Sequence, residues 1–146
     1  MVSLARILVL ALCAAALAAR ADTLKSDADV KAFGDRVMAA VAGAGLPAAI
    51  SVMRPYVVIS ETELQNALLK MQAQREQLGP RYGKTTGFEY IGTKRLGQSL
   101  LRLTYIEKTE RQALPWMFHF YRSANGWILS SFIANDLSSE LFNLLQ

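Results

Sequence analysis

The sequence predicts an α+β fold, in which N-terminal helices pack on a curved four-stranded antiparallel sheet. Apolar residues recur at helical spacing in the first part of the chain, and the period changes to two from about residue 86. Turn signals separate four alternating segments in the second part, among them the hairpin dipeptide Asn125-Gly126. Helices followed by a meander of strands form a layered α+β domain.

Length and composition limit the class of protein. The chain has 146 residues, of which 52% are hydrophobic, and it contains one Cys and one His. These values fit one compact domain. They exclude a disulfide-stapled mini-protein, a zinc cluster, a disordered tail and a large multidomain enzyme.

Residues 1–21 have the pattern of a secretory signal peptide. Arg6 precedes an uncharged apolar run over 7–19, and Ala19-Arg20-Ala21 is a small-x-small cleavage site. The run is shorter than the roughly 20 apolar residues of a membrane span. We therefore predict cleavage near Ala21, a single domain over 22–146, and a periplasmic or secreted protein. A retained anchor helix and lipidation at Cys13 are the alternatives, although Leu12 is bulkier than the residue expected before a lipidated Cys.

Removal of this segment changes the charge. The whole chain has 16 Lys and Arg against 12 Asp and Glu. Without Arg6 and Arg20, 14 basic residues face 12 acidic ones, and no Cys is left. An excess of this size does not indicate a nucleic-acid partner, for which a clustered basic face is expected. Contact with membrane is expected only through the signal segment.

Three helices are predicted before residue 86. The first is capped by Ser26 and ends at Gly43 to Pro47. A short second helix over 46–54 stops before Pro55. The third begins with a capping box, and we expect Gly79-Pro80 to end it, with a connecting turn over 79–84. The residues that support these helices are Val30, Phe33, Val37 and Val41 in the first, and Ser60, Glu63, Leu64, Leu68, Met71 and Leu78 in the third.

Four strands are predicted over 88–93, 100–108, 115–122 and 127–134, followed by a short helix or tail over 137–145. A turn centred on Asn125-Gly126 places even positions of the third strand opposite odd positions of the fourth. The face expected to join the core carries Trp116, Phe118, Phe120, Trp127, Leu129 and Ile133. The opposite face carries Met117, His119, Tyr121, Ile128, Ser130 and Phe132.

This arrangement resembles the NTF2-like superfamily, whose members have a cystatin-like α+β cone. The resemblance lies in the helical N-terminal half, the helix ending at Leu78-Gly79-Pro80, the strand over 118–121 and the turn into 126–129. It covers most of residues 26–142, and small exported bacterial proteins of unknown function in this superfamily often show a similar final hairpin. The resemblance implies a pocket between sheet and helices and dimerisation through the sheet. Enzymes of the superfamily place Asp, His or Tyr in the pocket, whereas the predicted strands carry no Asp.

Few residues indicate catalysis. His119 is the only His, so it cannot form a metal site without carboxylate or Cys help, and it is a general base only if a substrate site lies beside it. Glu107 and Glu110 flank a charged loop and do not form an acid/base pair. We expect no catalytic residues, no metal and no cofactor. An enzyme of hydrolase or isomerase type that uses His119 is the least favoured alternative.

Two sets of residues are candidates for binding. Trp116, Phe118, Phe120, Trp127 and Tyr105 line the pocket implied by the resemblance, and core packing is their simpler role. The opposite sheet face is more apolar than a solvated face should be, so Met117, His119, Tyr121, Ile128 and Phe132 are the candidate interface. We predict an exported, non-catalytic interaction module with a homodimeric or an exported protein partner. The alternative is a periplasmic binder of a small apolar ligand.

Overall fold

The structure is a computed structural model that describes residues 21–134 and 142–143. Three α-helices are followed by four strands: α1 is Asp27–Gly43, α2 is Leu46–Met53 and α3 is Glu61–Tyr82. A single 3-10 turn, Arg54–Tyr56, follows α2, so the backbone tightens at Pro55 where the sequence predicts a stop. Most of the signal peptide predicted over 1–21, and most of the element predicted over 137–145, lie outside the described residues.

The starts of α1 and α3 are set by capping boxes. The Ser26 hydroxyl accepts from the Asp29 backbone N–H at 3.1 Å, and the Asp29 carboxylate accepts from the Ser26 N–H at 3.0 Å. Ser60 and Glu63 make the same reciprocal pair at α3. These bonds satisfy donors that have no partner inside a helix, which is why both starts agree with the sequence.

The end of α3 differs from the prediction. The helix continues through Pro80 to Tyr82 and is capped at Gly83, which takes φ 81°. Pro80 removes only one backbone donor near the last turn, and the loop after the second strand satisfies carbonyls at the end of the helix that have no partner within it. Arg111 donates its backbone N–H to the Tyr82 carbonyl at 3.0 Å and its side chain to the Pro80 carbonyl at 3.1 Å. Tertiary contacts therefore outweigh the local stop signal.

The strands form one antiparallel sheet in the order β1-β2-β3-β4. Their bounds are Thr85–Leu96 for β1, Leu100–Thr109 for β2, Ala113–Ser123 for β3 and Gly126–Ala134 for β4. The α+β class predicted from the sequence is confirmed. The first strand is longer than predicted at both ends. Its end residues pair with β2, but they are mostly polar and do not alternate in hydrophobicity, so the sequence pattern does not show them.

The turn between β3 and β4 lies one residue earlier than predicted. Its two loop residues are Ala124 and Asn125, and Gly126 pairs with Ser123 and takes φ 136°. Among the described residues only glycines take positive φ. Asn125 therefore does not take the positive φ that the sequence predicts for it. The Ser123 hydroxyl closes the turn, since it donates to the Gly126 carbonyl and accepts from the Asn125 N–H.

A register shift between His119 and Phe120 changes the predicted faces of β4. Phe120 pairs with Leu129, but Phe118 pairs with Phe132. Phe132 therefore packs against the core, and its prediction as an outer-face residue is wrong. Ile133, predicted to be in the core, is 44% exposed on the other face. The bulge inserts one residue into β4, which inverts every side chain beyond it.

The core lies between the helices and one face of the sheet. Phe33, Val37 and Met38 of α1 are fully buried against the sheet aromatics. Gly34 allows α1 to approach the sheet closely, because a Cβ there would lie 2.5 Å from the Tyr105 hydroxyl oxygen. The segments before α1 and after α2 bridge the outer edge of β4 at Trp127 and Leu129. Within 21–134 and 142–143 no helix is both long and apolar enough to cross a membrane.

Candidate functional site: the outer face of the sheet

The five residues predicted to line a pocket are core residues. Trp116, Phe118, Phe120 and Tyr105 have no exposed surface, and Trp127 is 1% exposed. The Trp116 and Phe118 rings stack at 5.9 Å, and the Tyr105 ring meets Phe118 edge-on at the same distance. These side chains fill the space between the sheet and the first two helices, whereas hollows of about 180 Å³ and 390 Å³ remain between α3 and the ends of β3 and β4.

Polar contacts seal Trp127 at the hairpin end of the sheet. Its indole N–H donates to Asp27 at 3.2 Å, and the guanidinium groups of Arg95 and Arg122 lie 5.5 Å and 5.6 Å from its ring. Arg95 also forms an ion pair with Asp27. The cations cover the ring from solvent, so Trp127 acts in packing rather than in ligand contact.

Tyr105 carries the one hydroxyl in this aromatic set. It donates to Asp35 at 2.9 Å, and Asp35 in turn pairs with Lys31 at 2.6 Å. Burial raises the pKa of Tyr105 far above its ordinary value, and the hydrogen bond to Asp35 adds to the shift. The phenol therefore stays protonated and orients α1 on the sheet, which is a structural role.

Glu107 is a buried residue that the sequence reasoning missed. It has no exposed surface and faces the core, where the Arg75 guanidinium, the Thr85 hydroxyl and the Trp116 indole donate to it. The Trp116 contact is 2.9 Å and the first Arg75 contact is 2.6 Å. The alternation of Leu103 and Tyr105 in β2 places Glu107 on the inner face, so the period of two could have found it.

The chemistry of Glu107 is that of an anchor. Burial on its own raises the pKa of Glu107, but the hydrogen bonds from Arg75 and Thr85, the Arg75 charge and the Trp116 bond outweigh it and hold the pKa below its usual range. Each carboxylate oxygen accepts two hydrogen bonds, so neither oxygen is left to accept a substrate proton. The group joins α3 to the sheet and is not an acid or base for catalysis.

The outer face of the sheet is the second candidate site. Three rows of side chains cross the part of this face nearest the hairpin turns, and the row next to the turns is exposed and apolar: Leu96 is 64%, Leu100 46% and Tyr121 50% exposed. The next row is polar and contains His119. The third row contains buried Thr104 and Met117, with Ile133 beside them. The three rows are Leu96, Leu100, Tyr121 and Ile128; Lys94, Arg102, His119 and Ser131; and Gly92, Thr104, Met117 and Ile133.

The structure brings four of the five predicted interface residues to this face. Met117 is buried, His119 and Ile128 are half-buried, and Tyr121 is exposed. Only Phe132 lies on the other side. Leu96, Leu100 and Ile133 belong to the same surface, and the pattern over β1 and β2 could have identified the first two, since they flank the turn between those strands.

His119 lies between two polar neighbours rather than beside Phe132. Arg102 pairs with it across β2, and its Nδ1 lies 3.2 Å from the Ser131 hydroxyl. Burial lowers the pKa of His119 below its ordinary value, and the Arg102 charge lowers it further. The imidazole is therefore neutral near pH 7. In the described part of the chain, no three His, Cys, Asp or Glu residues come together as metal ligands.

Comparison with known proteins adds no assignment. The models of known protein families give no match to the chain, and no curated protein matches it.

Proposed function

We propose that the protein is an exported, non-catalytic interaction module of the NTF2-like type, and that its outer sheet face contacts a second copy of the chain. The contrast between the two faces of the sheet supports this proposal. The inner aromatics are fully buried, whereas Leu100, Tyr121 and Ile133 on the outer face are 44–50% exposed. A solvated sheet face normally carries polar residues, whereas this face exposes large apolar side chains in two rows, one on each side of the polar row, and exposed apolar surface is typical of a contact site.

The distribution of charge on this face favours a second copy as the partner. Glu89 faces outward opposite Ile106, and Lys94 faces outward opposite Arg102, five residues further along β1. Because β1 has a bulge between Tyr90 and Gly92, the β2 partners of these two charges are only four residues apart, and at about 3.3 Å per residue the charges lie roughly 13 Å apart along the sheet. A two-fold axis between them brings Glu89 of each copy to Lys94 of the other, because an isologous interface exchanges paired positions.

The filled aromatic core gives no support to the alternative of a small apolar ligand bound among these aromatics, where α1 and α2 pack on the sheet. A ligand there would have to displace Trp116 or Phe118, each with no exposed surface. Replacing such packing costs several kcal/mol, about 3–5 for one large aromatic side chain. Catalysis by His119 has no support from a neighbouring carboxylate, since its described neighbours are Arg102 and Ser131.

Self-association of the full chain tests the proposal. Sedimentation equilibrium should give a dimer whose dissociation constant rises when a charge is buried in the contact, as in Ile133→Glu or Tyr121→Glu. Leu69→Glu is the matched control, because Leu69 is 55% exposed but lies on α3 and not on the sheet. A strict monomer at high concentration would contradict the dimer. Capture of another exported protein that Ile133→Glu abolishes would then assign the face to that partner.

A further inference from the structure

A hollow lies at the hairpin end of the outer face, next to the turn that joins β1 to β2. Its volume is about 290 Å³, and its described lining residues are Lys94, Leu96, Leu100, Leu101, Arg102 and His119. A cavity of about 150 Å³ holds benzene, so this hollow has room for roughly a dozen non-hydrogen atoms. It is separate from the core, which Trp116 and Phe118 fill on the other side of the sheet.

The walls of the hollow are apolar on one side and cationic on the other. Leu96 and Leu100 pair across the hairpin, and both are exposed although a polar residue would be expected at each. Lys94 and Arg102 pair in the next row, and the described lining contains no carboxylate. Lys94 is exposed and makes no ion pair with any residue of the described ranges.

His119 is the third polar residue on the cationic side of the hollow. Its ring is held at Ser131, and it lies in the row of Lys94 and Arg102. An anion placed beside Lys94 would approach the imidazole as well. The anion would favour the protonated form of the His119 ring, since an opposite charge within about 4–6 Å stabilises the charged form.

We infer that this hollow binds a small amphipathic monoanion, with an aliphatic chain on Leu96 and Leu100 and a carboxylate at Lys94. The site belongs to one copy of the chain, so it does not depend on the proposed dimer. It does occupy part of the same face, and ligand and second copy therefore compete. The room for about a dozen atoms fits a free acid of eight carbons rather than a whole phospholipid.

Binding of octanoate to the full chain tests the inference by calorimetry and by the NMR signals of His119. Octanoate should bind at least ten-fold more tightly than acetate, which lacks the chain, and than octylammonium, which has the opposite charge. Lys94→Gln should weaken binding about five-fold, as expected for loss of one exposed ion pair, and Leu100→Asn should weaken it by a similar factor. Lys108→Glu is the control, because Lys108 is exposed on the same face at the far end of β2.

The pKa of His119 should rise on saturation with octanoate and not with octylammonium. Ile133→Glu should retain octanoate binding even if it abolishes self-association, so failure of the dimer and failure of this site can be told apart. Equal affinity for acetate and octanoate would overturn the inference, as would equal affinity for octylammonium. Binding to phosphatidylglycerol vesicles without binding to free octanoate would also overturn it.

Discussion

Removing one partner of the buried Arg75–Glu107 ion pair should lower the free energy of unfolding more than replacing both partners by apolar residues. Arg75→Met leaves the Glu107 carboxylate without a charge partner at a position with no exposed surface. Breaking a buried pair in this way typically costs about 3–5 kcal/mol. Because the Arg75 side chain is 29% exposed, we expect a loss of stability at the lower end of this range, about 3 kcal/mol.

Replacing both partners should recover part of this loss. In Arg75→Met with Glu107→Leu no charge is stranded, and the main remaining cost is the unpaired indole N–H of buried Trp116, about 1–3 kcal/mol. The double variant should therefore be more stable than Arg75→Met alone. The two single losses should exceed the double loss by at least about 1 kcal/mol, as expected for residues in direct contact.

Urea unfolding at pH 7, followed by tryptophan fluorescence, measures these differences, and equal m-values confirm that the variants unfold alike. The matched control is Arg54→Met, which breaks the Arg54–Glu61 pair at 3.0 Å, where the two side chains are 44% and 63% exposed. That variant should lose less than about 1 kcal/mol. The reasoning is refuted if Arg75→Met loses no more stability than Arg54→Met. It is also refuted if the stability losses of Arg75→Met and Glu107→Leu add up to the loss of the double variant.

Three further predictions concern the fold. Folding lowers the pKa of Glu107, so its contribution to stability is present above the unfolded pKa of about 4.3 and is lost as the pH falls through the folded pKa. Glu107→Leu should therefore flatten the acid side of a curve of stability against pH. Gly34→Ala should lose about 1–3 kcal/mol in urea unfolding because its Cβ meets the Tyr105 hydroxyl, whereas Gly79→Ala, with open space around it, should not lose stability. Ser60→Ala should lower the free energy of unfolding by about 1 kcal/mol, and an unchanged midpoint would argue against the capping box.

Local signals predicted most of the elements. The capping residues Ser26 and Ser60 mark the starts of α1 and α3 because a cap is a contact within four residues. The inner face of β3 was predicted correctly, since Trp116, Phe118 and Phe120 alternate with less apolar residues. These features depend on neighbours in sequence, so the sequence alone shows them.

Features that depend on distant contacts were missed. The continuation of α3 through Pro80 depends on Arg111, and the bulge beside His119 depends on how β4 pairs with β3. The bulge exchanged Phe132 and Ile133 between the two faces, and so altered the candidate site. The alternation in β2 indicates that Glu107 faces inward, but no local pattern indicates its partner Arg75, which lies 32 residues away on another element.

The most direct test of the central claim is the mass of the full chain in solution. Sedimentation equilibrium should show twice the monomer mass for the wild type and for Leu69→Glu, and the monomer mass for Ile133→Glu at the same concentration. The claim requires all three results together, because only the outer face of the sheet distinguishes the two variants. A dimer that persists in Ile133→Glu and in Tyr121→Glu, or a wild type that is monomeric throughout, would contradict it.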